Sequence, residues 1–254
     1  MTQAGPSHTP RTLRDVVNTR YTRIRYAAGS DDHLIISFSS IGRRRAEMPP
    51  DEFTGTLLRQ PEQHCMFISD LRRSWMNDPH YLKSVKSAVD KIRKRENINR
   101  ITTLGLSMGA FSALVASALF PVTTAIAISP QFTMSGAVMP KETRWRYWRK
   151  GIKTFRFETA EASPGPGRSY IFHGLENDLD QMRAFSVLPN RDHFVFPESN
   201  HSELGRLFKE NGVLLDLVNA CATRNRKEVA RLVGSCGGTW RARYEKQQKL
   251  ENAA

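Results

Sequence analysis

The chain contains no apolar run approaching the roughly 18 residues that a membrane span requires. Its opening stretch, MTQAGPSHTPRTLRD, holds no apolar segment of the kind a secretory signal carries. A soluble, cytoplasmic protein is the expectation. Cysteine is scarce: Cys65, Cys221 and Cys236 are odd in number, far apart and without a CxxC pair. Neither a disulfide framework nor a zinc site follows from them. No internal repeat is present.

Acidic residues are also short, 25 against 38 lysines and arginines, which leaves a net charge of +13. The basic residues concentrate at 11–25, at 141–156 and in the C-terminal tail. Such a balance fits an anionic partner, or simply a solvated basic surface. No helix-turn-helix, RNA-recognition or zinc-finger signature accompanies the charge.

What the chain does have is enough apolar residue, 39% of 254, to bury the core of one large globular domain. Short runs rich in β-formers recur at 33–38, 64–69, 101–106, 123–129, 169–173 and 193–196. Between them lie helical patterns. Leu82, Val85, Val89 and Ile92 fall on one helical face, with Pro79 near its start. The small apolar stretch after 107 suits a helix packed closely on a sheet, stopped by Pro121. Helices are further expected at 180–187 and, as one long closing helix, at 203–221, with Gly212 a candidate break. Alternation of this kind predicts an α/β architecture, a doubly wound, mostly parallel sheet. The expected organisation is a flexible basic arm over 1–19, a main domain over 20–223 whose first edge strand is 20–28, an insertion at 131–168, and a basic C-terminal helix or tail over 224–254.

In such sheets chemistry collects where strands end at their carboxyl edge. After 101–106 comes Gly105-Leu-Ser-Met-Gly109, a serine on a strand-to-helix turn with glycines two residues either side. After 169–173 comes His173-Gly-Leu-Glu-Asn-Asp-Leu-Asp180, and after 193–196 comes Ser199-Asn-His-Ser202. A serine hydroxyl is a weak nucleophile until an imidazole takes its proton. The imidazole in turn needs a carboxylate to hold its tautomer.

In these three stretches the chain resembles the α/β-hydrolases, over roughly residues 30–220. The resemblance implies Ser107 as nucleophile, His201 as general base and Asp178 as triad acid, with Asp180 the rival acid. It implies oxyanion donors at the amides of Met108 and Ser40, with Ser39 and Ile41 as neighbours that could serve, and it makes the insertion at 131–168 a lid. Trp75, in the loop after 64–69, is expected either against substrate or pinning that loop. Trp145 and Trp148, three residues apart in a stretch of interleaved aromatic and basic residues, are expected on one helix face, either toward substrate or buried on the body of the protein. The short segment SWMND is also similar to one found in bacterial hydrolase-like proteins linked to surface polysaccharides. The function expected is hydrolysis of a carboxylic ester or thioester on a small-molecule or polysaccharide-linked substrate. This chemistry calls for no metal and no organic cofactor. Acyl transfer by the same triad, and a non-catalytic scaffold binding an acidic partner, are the alternatives.

Overall fold

Strands that are apolar on both faces pair in parallel and require helices on either side. Five strands here are that kind: β3 (His33–Phe38), β4 (His64–Asp70), β5 (Arg100–Leu106), β6 (Thr124–Ile128) and β8 (Arg191–Phe196), joined by β7 (Arg168–Gly174). The computed structural model describes residues 11–163 and 165–253. Among these, β1 (Arg14–Asn18), β2 (Thr22–Ala27) and β9 (Thr239–Trp240) complete one sheet in the order β1-β2-β4-β3-β5-β6-β7-β8-β9. Strands β3 to β8 run parallel to their neighbours, while β1, β2 and β9 pair antiparallel.

Helices flank both faces. On one side lie α2 (Pro79–Arg95) and α3 (Met108–Val115), whose buried residues share a core with β2, β3 and β5. The opposite face carries α6 (Leu204–Glu210), α7 (Leu214–Ala222) and α8 (Arg226–Ser235). Short helices α1 (Thr54–Leu57) and α4 (Arg146–Arg149) sit in connections. Helix α5 (Leu175–Ala184) follows β7, and α9 (Arg241–Glu251) ends the chain. Helix α2 forms where its sequence says it should. Asp78 caps it by accepting from the amides of His80 and Tyr81 at 2.8 and 3.1 Å, Pro79 opens it, and three basic residues close it.

Three local expectations change. Thr22–Ala27 is not the edge, because β1 pairs outside it. That strand lies inside the stretch expected to be a loose arm. Its mostly exposed, polar sequence carries no burial pattern to betray it. Arg11 ties its base to the carbonyls of Gln60 and Gln63 at 2.8 and 2.7 Å; residues 1–10 of the arm lie outside the described residues. The closing helix is two helices, separated at Gly212, whose φ of +70° is left-handed. The tail from 224 packs, with β9 extending the sheet beside β8. Among the described residues no helix is long and apolar enough to cross a membrane.

Candidate active site

Strand β5 passes into α3 through a single residue, Ser107, at φ 56° and ψ −119°. A non-glycine residue in that region is strained, and such strain persists only where the surroundings impose it. Here the two flanking glycines allow it. A Cβ on Gly105 would lie 2.0 Å from the carbonyl carbon of Gly109, and one on Gly109 would lie 2.2 Å from the carbonyl oxygen of Phe38. The turn is therefore tight enough to lift Ser107 above the sheet edge. It also presses the start of α3 against the loop that follows β3.

His201 follows β8 in the loop before α6, and Asp178 lies in the first turn of α5. The Ser107 hydroxyl is 2.8 Å from Nε2 of His201, and Nδ1 of His201 is 2.7 Å from Oδ2 of Asp178. All three are nearly buried, at 6%, 8% and 1% exposure. Asn177 accepts from the His201 amide at 2.8 Å and so fixes the histidine loop to the start of α5. Burial pushes the Asp178 carboxyl up, but the hydrogen bond and charge of His201, with a smaller contribution from Arg144, outweigh it and hold the carboxyl below its usual range. Arg144 reaches its other oxygen, Oδ1, at 2.8 Å. Asp180, the rival acid, is exposed on the far side of the same helix. Strand β7 runs straight into α5 at Gly174, so Asp180 lies inside the helix.

The candidate oxyanion donors flank Ser107. Met108 is the first residue of α3, so its amide has no acceptor within the helix. Ser40 lines the cavity beside Ser107, and its hydroxyl is held by Glu52 at 2.6 Å. Ser39 drops out, because its amide donates to the Ile68 carbonyl at 2.9 Å. The loop beyond Ser40 is organised by a residue that no motif singles out. Arg73, fully buried, donates to the carbonyls of Ile41, Arg44, Arg45, Glu47 and Leu71 at 2.6 to 3.3 Å. Arg73, Trp75 and Met76 all have positive φ, in a loop pinned where the Asp70 carboxyl accepts from the amides of Arg72 and Ser74.

The tryptophans separate. Trp145 stays at the site, its ring 5.1 Å from that of His201 and its edge in the cavity wall. Helix α4 is a single turn that starts after Trp145, so the expected shared face is lost. Trp148 instead covers the Arg73 guanidinium at 4.9 Å and does not line the cavity. Trp75 takes the second of its two expected places, pinning its loop. It is fully buried and cannot stack on a substrate; its indole N–H donates to Oε1 of Gln131 at 3.0 Å. Gln131, also fully buried, donates from Nε2 to the Ser107 hydroxyl at 2.9 Å. No motif marks Gln131 in the sequence.

Behind Gln131, His173 binds the Pro130 carbonyl at 2.9 Å and Nδ1 of His173 meets Nε2 of His193 at 2.8 Å. Burial drives the His173 imidazole down to about 4 and that of His193 well below its usual range, so both are neutral near neutral pH. The cavity itself measures about 1080 Å³ and is walled by Ser107, His201, Trp145 and the arginines at 23, 25, 43 and 44. Among the described residues no group of three or more His, Cys, Asp or Glu could hold a metal ion.

Strand order, the strained serine turn and the positions of the acid and histidine define an α/β-hydrolase fold. Solved structures share it at low sequence identity. A capsule O-acetyltransferase of Neisseria meningitidis serogroup A superposes with a TM-score of 0.56 at 15% identity, covering 79% of this chain and 92% of its own. An esterase from Thermogutta terrifontis gives 0.53 at 13%, covering 89% and 96%. A fluorophosphonate-binding serine hydrolase of Staphylococcus aureus gives 0.53 at 10%, covering 84% and 99%. No protein-family model matches the chain, and no curated protein does.

Proposed function

We propose that this chain is a serine hydrolase that cleaves a carboxylic ester or thioester through an acyl-enzyme. The observation that carries the reading is the unbroken run of contacts from Asp178 through His201 to Ser107. Ser107 Oγ attacks the acyl carbon as its proton passes to Nε2 of His201. Asp178 holds Nδ1 and stabilises the imidazolium. The carbonyl oxygen becomes an oxyanion held by the amides of Met108 and Ser40. The tetrahedral species collapses, and His201 returns the proton to the departing alcohol or thiol. Water then repeats the cycle on the acyl-enzyme: it gives a proton to His201, its oxygen bonds the acyl carbon, and Ser107 recovers its proton as the acid leaves.

Residues 131–168 act as a lid in this reading, with Trp145 and Arg144 as its contact to the triad. The arginines in the cavity wall suit a substrate with an anionic group near the acyl centre. Asp51 offsets part of this charge by pairing with both Arg23 and Arg25. Transfer to an alcohol or sugar instead of water is the second reading, favoured by a cavity large enough for donor and acceptor together. The solved O-acetyltransferase above has the same fold.

A fluorophosphonate probe tests the first step. Labelling of the wild type and none of Ser107→Ala is expected; a folded wild type that stays unlabelled would leave a binding scaffold as the better account. Turnover of a p-nitrophenyl ester with and without an added alcohol separates the two chemistries: acceleration by the alcohol indicates transfer.

A further inference from the structure

Four hydrogen bonds run in series through the site: Trp75 to Gln131, Gln131 to Ser107, Ser107 to His201 and His201 to Asp178. Their direction is fixed by the chemistry of the first member. An indole nitrogen can only donate. The Gln131 atom facing Trp75 must therefore be the carbonyl oxygen, which turns the amide nitrogen toward Ser107. An amide nitrogen does not accept, so the Ser107 hydroxyl must receive from Gln131 and direct its own hydrogen elsewhere. The group left within reach is Nε2 of His201, at 2.8 Å. That nitrogen is then the acceptor, and the imidazole proton sits on Nδ1, facing the Asp178 carboxylate.

We propose that Gln131, oriented by Trp75, is a further catalytic residue of the hydrolase read above. It donates to the nucleophile oxygen itself. In doing so it holds the hydroxyl in the one rotamer that points its proton at His201, and it stabilises the negative charge that grows on Oγ as that proton leaves. Both side chains are fully buried, so the Gln131 amide has no solvent to donate to in place of Ser107. The loop carrying Gln131 is rigid at its base. The Ser129 amide donates to Phe172 at 2.7 Å, and His173 holds the Pro130 carbonyl. Gln131 differs from the oxyanion amides in what it contacts: they face the substrate oxygen, and it faces the serine oxygen.

The rate of Ser107 phosphonylation by a fluorophosphonate reads this step directly. The Oγ–P bond forms, the P–F bond breaks with loss of fluoride, and the Oγ proton passes to His201. Gln131→Met keeps the volume and removes the donor. It should slow labelling roughly 10- to 100-fold, because a hydrogen bond to a group gaining charge is lost. Trp75→Phe leaves the amide unoriented and should slow labelling by about 3- to 10-fold. In a Gln131→Met background the Trp75 change should add nothing, since its effect passes through the amide. A purely structural role would lower thermal stability in both variants and leave the labelling rates alone. Should Gln131→Met fail to fold, Trp75→Phe carries the test. Labelling of either folded variant at the wild-type rate, or losses that multiply in the double variant, overturns the role of Gln131 while the serine hydrolase stands. A wild type that does not label overturns both.

Discussion

Asp178 is shared between two partners, His201 on one oxygen and Arg144 on the other, and its burial makes each partner count. Arg144 is itself held by Glu142 at 2.6 Å and lies over the Trp145 ring at 4.3 Å. Arg144→Met should cost roughly 1–3 kcal/mol of stability, the value of a charged hydrogen bond to a buried group, and on the proposed hydrolase reading reduce ester turnover as well. Urea denaturation and a turnover assay on the same preparation check it; unchanged values in both would show that His201 alone suffices for this carboxylate. The serine turn gives a sharper case. With Gly109 carbonyl atoms 2.0 Å from the position of an added Cβ, Gly105→Ala has no room without moving the start of α3. A loss of about 1–3 kcal/mol or more is expected, with loss of labelling at Ser107. A fully active, stable Gly105→Ala protein would contradict the packing described for this turn.

Among the elements, the loop after β3 depends on one side chain. It has no regular structure between Ser40 and Pro50, and yet its backbone is ordered by the Arg73 guanidinium. An ammonium has three donors on one atom and cannot reach carbonyls spread along such a loop. On the proposed hydrolase reading, with the Ser40 amide as oxyanion donor, Arg73→Lys should therefore lower kcat for ester cleavage about 10-fold or more. Wild-type kinetics in that variant would mean the loop holds its shape without the fork. Helix breaks give a milder prediction. Nothing lies within 4 Å of a Cβ added to Gly212, so Gly212→Ala suffers only its left-handed backbone, about 1–2 kcal/mol. Gly55, inside α1, is equally open but has no positive φ, and Gly55→Ala should stabilise by about 0.5–1 kcal/mol. Thermal melts of the two variants should move in opposite directions.

For the molecule as a whole, buried histidines set the response to acid. Burial and the charge of Arg100 lower His33 to about 4 against the pull of Asp31 and Asp32. His173, packed with His193 and near Asp178, His201 and Arg241, is likewise near 4. In the unfolded chain each titrates near 6.5, so between about pH 6.5 and 4 the unfolded state binds more protons. Stability is therefore complete above about pH 6.5 and is lost as pH falls toward 4, by about 3 kcal/mol for each histidine. Guanidinium denaturation at pH 7 and pH 4.5 measures this; equal midpoints would show that these rings can be protonated in place. The C-terminal helix takes part, since Arg241 donates to the carbonyls of Met182 and Phe185 at 3.1 and 2.7 Å beside His193.

The parallel strands were legible because each is a short, doubly apolar run, and β1 was not, because an exposed polar edge leaves no periodic trace. Ser107 and His201 stood out because strand ends gather chemistry and each follows one, while Asp178 and Asp180 both follow the same strand and only the resemblance ranked them. The break at Gly212 was open in the sequence for a related reason: glycine permits the left-handed turn without requiring it. Gln131, Arg73 and the choice between the two places open to Trp75 lay beyond reach. A glutamine, an arginine or a tryptophan in a loop has many ordinary uses, and its neighbours are set by strands distant in the chain. Sequence alone thus determined the alternation of elements and the residue types at the sheet edge, both local properties of apolar pattern and turn chemistry. Only the tertiary structure decided which donors face the serine, which carboxylate meets the imidazole and what orders the loop beside them, because those contacts arise when separate crossovers pack against one sheet edge.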